Sequence, residues 1–165
     1  MDKVFLAGRQ YNLRFCEVEL MADLMVKSPV FENNQSIPKK YSCDGEEVNP
    51  PLIVESIPKG AKTLALVVDD PDAPRGTFDH WVVWNIAPSS KIDENTIPGT
   101  QGVNSAGQHA YIGMCPPSGT HRYFFKIYAL DTELSLKDSA NKKELEKALQ
   151  GHVLAKGELI GTYHR

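Results

Sequence analysis

A chain of 165 residues in which 41% are hydrophobic and 24% charged has the length of a single domain and the apolar content of an ordinary globular core. Its formal net charge of −3 at pH 7 argues against a duplex-binding surface, which would be basic. No run reaches the ~18 apolar residues of a membrane-spanning helix.

Residues 1–24 read as an N-terminal extension to a single domain over residues 25–165. Tyr11-Asn12-Leu13-Arg14-Phe15 alternates like a strand, and residues 16–25 have the pattern of a short amphipathic helix. Neither reading wins over so short an apolar run. The N-terminus has Asp2 where a secretory signal would be basic, and Val4-Phe5-Leu6-Ala7 is too short for its apolar stretch. The three cysteines, Cys16, Cys43 and Cys115, are odd in number and have no CxxC spacing. They read as free thiols of a reducing compartment rather than a disulfide framework, so the expected location is cytoplasmic.

From Ser28 onward, turn formers recur every few residues, and eleven prolines spread along the chain leave little room for long helices. Residues 64–68, nearly all apolar, predict a central strand buried on both faces. Residues 80–86 and 123–130 predict two more strands, and residues 52–55 and 158–163 weaker ones. One helix stands out. Asn141 is the N-cap with Glu144 completing a capping box, Leu145, Ala148 and Leu149 form its apolar face, and Gly151 stops it. The fold expected is mainly β, an antiparallel β-sandwich with a few short peripheral helices.

Two segments carry the chemistry. The first strand runs into Asp69-Asp70-Pro71-Asp72-Ala73-Pro74, a loop stiffened by two prolines, and His80-Trp81 follows. Strand alternation puts His80 on a face with Val82, Trp84 and Ile86. The second segment is Cys115-Pro116-Pro117-Ser118-Gly119-Thr120-His121-Arg122-Tyr123. There His121 and Tyr123 share a face, and Arg122 points away. Taken singly, these residues suit plainer roles: turn-capping aspartates, a rim histidine, an arginine paired with a loop aspartate. Taken together, two histidines each preceded by a stiff loop suit a small oxyanion such as phosphate. The aspartates would hold the histidines in a donor tautomer or accept from an ammonium group. A divalent metal on Asp70, Asp72, His80 and His121 is the chemical rival, without supporting ligand spacing. Cys43 and Cys115 are candidate nucleophiles with nothing that marks an activated thiol.

These two segments resemble the two signatures of the phosphatidylethanolamine-binding proteins, in the bacterial branch called Raf kinase inhibitor-like proteins. Ile37-Pro38-Lys39-Lys40-Tyr41-Ser42-Cys43-Asp44-Gly45, Asn49-Pro50-Pro51-Leu52, Gln101-Gly102-Val103-Asn104 and Gly157-Glu158-Leu159-Ile160-Gly161-Thr162-Tyr163 add to the likeness. It runs from about Met25 to Arg165. The resemblance implies a β-sandwich with a small anion pocket on Asp70, Asp72, His80, His121 and Tyr123, walled by Pro116 and Pro117. It implies a non-enzymatic binding or regulatory protein that uses no cofactor and takes a small phosphorylated or anionic ligand. Neither nucleic acid nor stable membrane insertion is expected, and the implied assembly is a homodimer. A regulator that binds a phosphorylated protein partner is the alternative, and a phosphoester hydrolase the lesser one. Two departures bear on the pocket. Ile112 and Met114 stand where the bacterial pattern has glycine and proline, which predicts a narrowed or reshaped mouth. The long C-terminal helix of animal relatives is missing, which predicts a more open pocket.

Overall fold

The computed structural model describes residues 22–165. The strand and helix readings of residues 1–21 lie outside the described residues. Residues 22–24, the end of the expected extension, are part of the sheet: β1 (Ala22–Asp23) runs parallel to the last strand, and Leu24 is buried beside it.

Two sheets build the fold. The three-stranded sheet has β2 (Met25–Lys27), β4 (Leu52–Glu55) and β7 (Lys91–Ile92) in the order β2-β4-β7. The seven-stranded sheet contains β1, β3 (Gln35–Ser36), β5 (Thr63–Asp70), β6 (Phe78–Ile86), β8 (Thr100–Gln101), β9 (Thr120–Leu130) and β10 (Val153–His164). Its order is β1-β10-β9-β5-β6-β8, with β3 also on β10. The central ladders β10/β9, β9/β5 and β5/β6 are antiparallel, as expected. The two short flanking strands β1 and β3 pair with β10 in parallel.

The sequence of β5 explains its central place. All eight of its residues are buried, because both faces of the large sheet are covered. Leu64, Leu66 and Val68 point into a core shared with Val26, Leu52, Val54 and Ile92 of the small sheet. Ala65 and Val67 point the other way, against Leu145 and Leu149 of the helix α1 (Lys142–Leu149). Burying each such large aliphatic side chain contributes about 1.5–3 kcal/mol. The helix forms where the capping residues predict. The Asn141 side chain accepts from the Glu144 N–H, and the Glu144 carboxylate accepts from the Asn141 N–H.

Two irregularities in β6 depart from simple alternation. Val68 pairs with Trp81 but Asp69 with Asp79, so His80 is an extra residue in the ladder. Leu64 pairs with Ile86 and Leu66 with Val83, which places a second extra residue near Asn85, whose φ is 53°. A bulge of this kind turns the following or preceding side chains to the other face. Thus Ile86 joins Trp81 and Val83 in the main core, not Val82 and Trp84. His80 likewise leaves the face it was expected to share with Val82 and Trp84. Its ring packs edge-on against Tyr123 at 5.3 Å and against Phe78 at 4.9 Å.

The expectation of free thiols is overturned at two of the three cysteines. Cys43 and Cys115, 72 residues apart, form a disulfide with their Cα atoms 5.5 Å apart. The loops that carry them run side by side, so spacing in sequence says nothing of their distance in space. Cys16 lies outside the described residues. No helix among the described residues is long and apolar enough to cross a membrane.

Candidate functional site

The ends of β5, β6 and β9 converge at one end of the large sheet, and each brings one buried polar side chain. Asp70 is the last residue of β5, His80 is the bulge residue of β6, and His121 is the second residue of β9. All three are nearly excluded from solvent. Tyr123, two residues beyond His121, is fully buried beneath them. Together they line the inner part of a cavity of about 200 Å³. Pro74, Cys115 and Pro117 are exposed and form its rim, and Phe78, Ile112 and the buried Pro116 complete the wall.

Each histidine is fixed through one ring nitrogen. His121 Nδ1 lies 2.7 Å from Asp70 Oδ2 and donates its proton to that carboxylate. His80 Nδ1 lies 2.8 Å from the Ile112 carbonyl oxygen. A carbonyl can only accept, so His80 carries its proton on Nδ1. In both rings Nε2 has no hydrogen-bond partner among the described residues. Asp70 is itself fixed, because its Oδ1 accepts from the Asp72 N–H at 2.8 Å. That is the turn-capping role weighed for the loop aspartates, and it leaves Oδ2 for His121.

The Tyr123 hydroxyl is buried with no hydrogen-bond partner among the described residues. A buried polar atom without a partner costs about 1–3 kcal/mol, so such atoms are rare unless something else satisfies them. Burial is the largest influence on this phenol and pushes its pKa well above 10; the charge of Asp70 adds to the rise. It is therefore a hydrogen-bond donor at any working pH.

Asp72 does not join the cavity, in contrast to expectation. Its carboxylate is held by Arg122 in a two-pronged pair, Nε to Oδ2 at 2.9 Å and Nη2 to Oδ1 at 2.8 Å, and also accepts the Arg122 main-chain N–H. The Arg122 guanidinium is the first cause that lowers the Asp72 pKa to about 2. The physical reason lies in alternation on β9: Arg122 faces away from His121, and Asp72 follows it outward. Asp69 also turns outward, to the opposite face from Asp70, where Lys126 and Lys142 both donate to its Oδ2. With Asp72 diverted and His80 Nδ1 taken by a carbonyl, the four residues weighed as metal ligands do not form a metal cluster. Among the described residues no group of three or more His, Cys, Asp or Glu is arranged to hold a metal ion.

The wall has its own support. Residues 111–115 lie against residues 41–47. Tyr111 Oη donates to the Tyr41 carbonyl, the Cys43 N–H to the Met114 carbonyl, and the Gly113 N–H to Glu47 Oε1. Gly113 is required here, since a Cβ would lie 2.8 Å from the Tyr41 carbonyl oxygen. Of the two departures noted in the sequence, Ile112 lines the cavity and supplies the carbonyl that orients His80. Met114 is fully buried in the main core and does not line the cavity, so it does not shape the mouth directly. Sequence reading missed the carbonyl of Ile112 and the disulfide of Cys115, for neither leaves a mark in residue type. Asn49 and Asn104, both in motifs of the resemblance, anchor loops. Asn49 binds the Asp93 carbonyl and the Thr96 N–H, and Asn104 receives the Ala106 and Gln108 N–H groups.

A larger, more open trough of about 610 Å³ runs along Asp23, Leu24, Lys126, Tyr128, Lys156, Gly157 and Glu158. Its lysines stand beside acidic partners or in solvent, and among the described residues no partnerless buried polar atom lines it. The smaller cavity is therefore the candidate site.

Comparison with known proteins gives the family and agrees with the fold. The family model described as phosphatidylethanolamine-binding protein matches residues 27–164. A UPF0098 protein of Pyrococcus horikoshii is 50% identical over 149 residues, 84% of this chain and 75% of its own length. A UPF0098 protein of Archaeoglobus fulgidus is 46% identical over 158 residues, 90% of this chain and 54% of its own. Among solved structures, a phosphatidylethanolamine-binding protein homologue from Chlamydia trachomatis superimposes with a TM-score of 0.84 at 41% identity, covering 87% of this chain and 98% of that one. Escherichia coli YbcL, described as a member of the mammalian family, gives 0.79 at 29% identity, covering 87% and 99%. With a family model spanning all but the ends of the described chain, and relatives at half identity, this protein belongs to the phosphatidylethanolamine-binding protein family.

Proposed function

We propose that the protein binds a small oxyanion, of the phosphate or phosphomonoester type, in the cavity between His80, His121 and Tyr123, and does so without chemical turnover. The observation that carries the reading is the Tyr123 hydroxyl, buried and partnerless at the cavity's inner end. An anionic oxygen there would accept its proton and remove the penalty. The histidines support the same ligand. Each has its Nδ1 fixed, so each gains a second donor at Nε2 when it takes up a proton, and Asp70 supplies the countercharge for His121. Binding rather than catalysis is supported by the two cysteines. The thiols weighed as nucleophiles are joined to each other.

Titrating inorganic phosphate and phosphoethanolamine while following the histidine ring signals by NMR tests the proposal. Saturable shifts of His80 and His121 are expected, and the His80 shift should vanish in His121→Ala. Tyr123→Phe separates the ligand's role from the fold's. It should leave stability unchanged or raised, since the orphan hydroxyl goes, yet weaken phosphate binding by about 1.5–3 kcal/mol, the worth of a hydrogen bond to a charged group. Unmoved ring signals at millimolar phosphate would reject the reading. Turnover of a phosphoester panel that depends on His80 would replace it with the hydrolase.

A further inference from the structure

We propose that the Cys43–Cys115 bridge is a reversible thiol–disulfide exchange site, and that opening it reshapes the anion cavity; the second part rests on the binding function proposed above. Three observations carry it. Cys115 is exposed, and it stands on the rim of the cavity, beside Pro116 and Pro117. An exposed bridge is open to attack by a thiol, and one on the rim carries the wall with it when it opens.

The second observation is a cation. Arg165 Nη1 lies 3.4 Å from Cys115 Sγ, and Arg165 Nε lies 3.3 Å from Asp44 Oδ1, next to Cys43. A guanidinium beside a sulfur favours the thiolate over the thiol. The third observation is how the loop is tethered. Its start is tied down through Gly113 and Met114, and its end by the paired main chains of Gly119 and Arg165, at 2.8 and 3.1 Å. Between those anchors no hydrogen bond fixes the main chain of residues 115–118 among the described residues. The disulfide and the packing of buried Pro116 are what hold that stretch against the cavity, and the disulfide is the covalent one of the two.

The exchange follows from exposure. The thiolate of a small thiol or dithiol attacks Sγ of Cys115, the more exposed of the two cysteines, and forms a mixed disulfide there. The electron pair of the broken bond leaves on Cys43 Sγ, which takes a proton from water. A second thiolate then attacks the mixed disulfide, leaves as the oxidised small thiol, and releases Cys115 as a thiolate beside Arg165. The small thiols lose two electrons in all, and the protein bridge gains them.

A Cys16→Ser background confines the chemistry to this pair. The protein is treated with dithiothreitol, or with reduced glutathione, at neutral pH without denaturant. Mass spectrometry after alkylation reads the thiols, circular dichroism the fold, and 15N relaxation the mobility of the Cys115 and Ser118 N–H groups. The expected result is two thiols in a folded protein, glutathione trapped on Cys115 rather than Cys43, and lower order parameters at the Cys115 and Ser118 N–H groups. Phosphate binding should weaken by about tenfold or more, the equivalent of one displaced donor, and recover on reoxidation. Arg165→Gln should slow alkylation of reduced Cys115. A bridge that opens only after the protein unfolds overturns the exchange site. A reduced, folded protein with unchanged order parameters at Cys115 and Ser118 and unchanged phosphate affinity overturns the reshaping. Should the oxidised protein bind no phosphate at all, the binding reading fails, while the thiol and amide readouts still decide this one.

Discussion

His80 is kept neutral by where it sits. Burial is the largest influence on its pKa and lowers it below 6.5, against the upward pull of the Ile112 carbonyl and the charge of Asp70. Two outcomes follow, with definite signs. Below pH 6.5 the unfolded chain takes up a proton that folded His80 resists, so this residue's contribution to stability is full above 6.5 and falls as pH drops beneath it. Urea unfolding of the protein and of His80→Asn across that range should show the variant free of that part of the slope. A bound anion acts the other way. It favours the imidazolium, so affinity for sulfate, which does not itself titrate there, should rise as pH falls from about 8 to about 5.5; calorimetry at each pH reads this directly. Asp72 makes the opposite case. Arg122 holds its carboxyl down to about 2, so its stabilisation is present above pH 3.8 and disappears as pH falls through 2. Because the pair is partly exposed, Asp72→Asn should cost no more than about 1 kcal/mol at neutral pH by chemical denaturation.

Among the elements, β5, β6, β9 and α1 are all legible in the sequence, because their signals are local: an unbroken apolar run, alternation, a capping pair. The bulge at His80 is not. Alternation along one strand carries no count of how many residues oppose its neighbour, and one extra residue moved His80 from the Val82 face to the Tyr123 face. That shift is what makes the site. Without it His80 would point toward the helix side of the sheet. The helix itself lies on that far side, against Val67, Val82 and Trp84. Asn141→Ala, which removes the cap accepting from Glu144, should therefore lower stability by about 1 kcal/mol and leave phosphate binding as it was. Thermal unfolding alongside the phosphate titration checks both halves.

Across the whole molecule, the convergence of two Pro-rich segments on one cavity was legible, since each delivers a histidine to a strand start. The path by which the cavity's wall is closed was not, since it depends on residues 41–47 meeting residues 111–115. The bridge between those loops closes a long stretch of chain, and chain-entropy reasoning gives it about 4 kcal/mol. Cys43→Ser with Cys115→Ser should accordingly lower the unfolding temperature by about 10 °C in scanning calorimetry. One further feature concerns what the fold refuses. The outer side of β10, twelve residues long, would by itself be an inviting template for a stranger's backbone. It is instead occupied by the chain's own residues, Leu24 bonding to Lys156, Asn34 to Ile160, and Ile37 to Thr162, with the Asn33 side chain taking the Ile160 N–H. The stretch from Ala22 to Ile37 thus works as a selvedge on the cloth, and losing it would leave a sticky border open to fibril-like stacking.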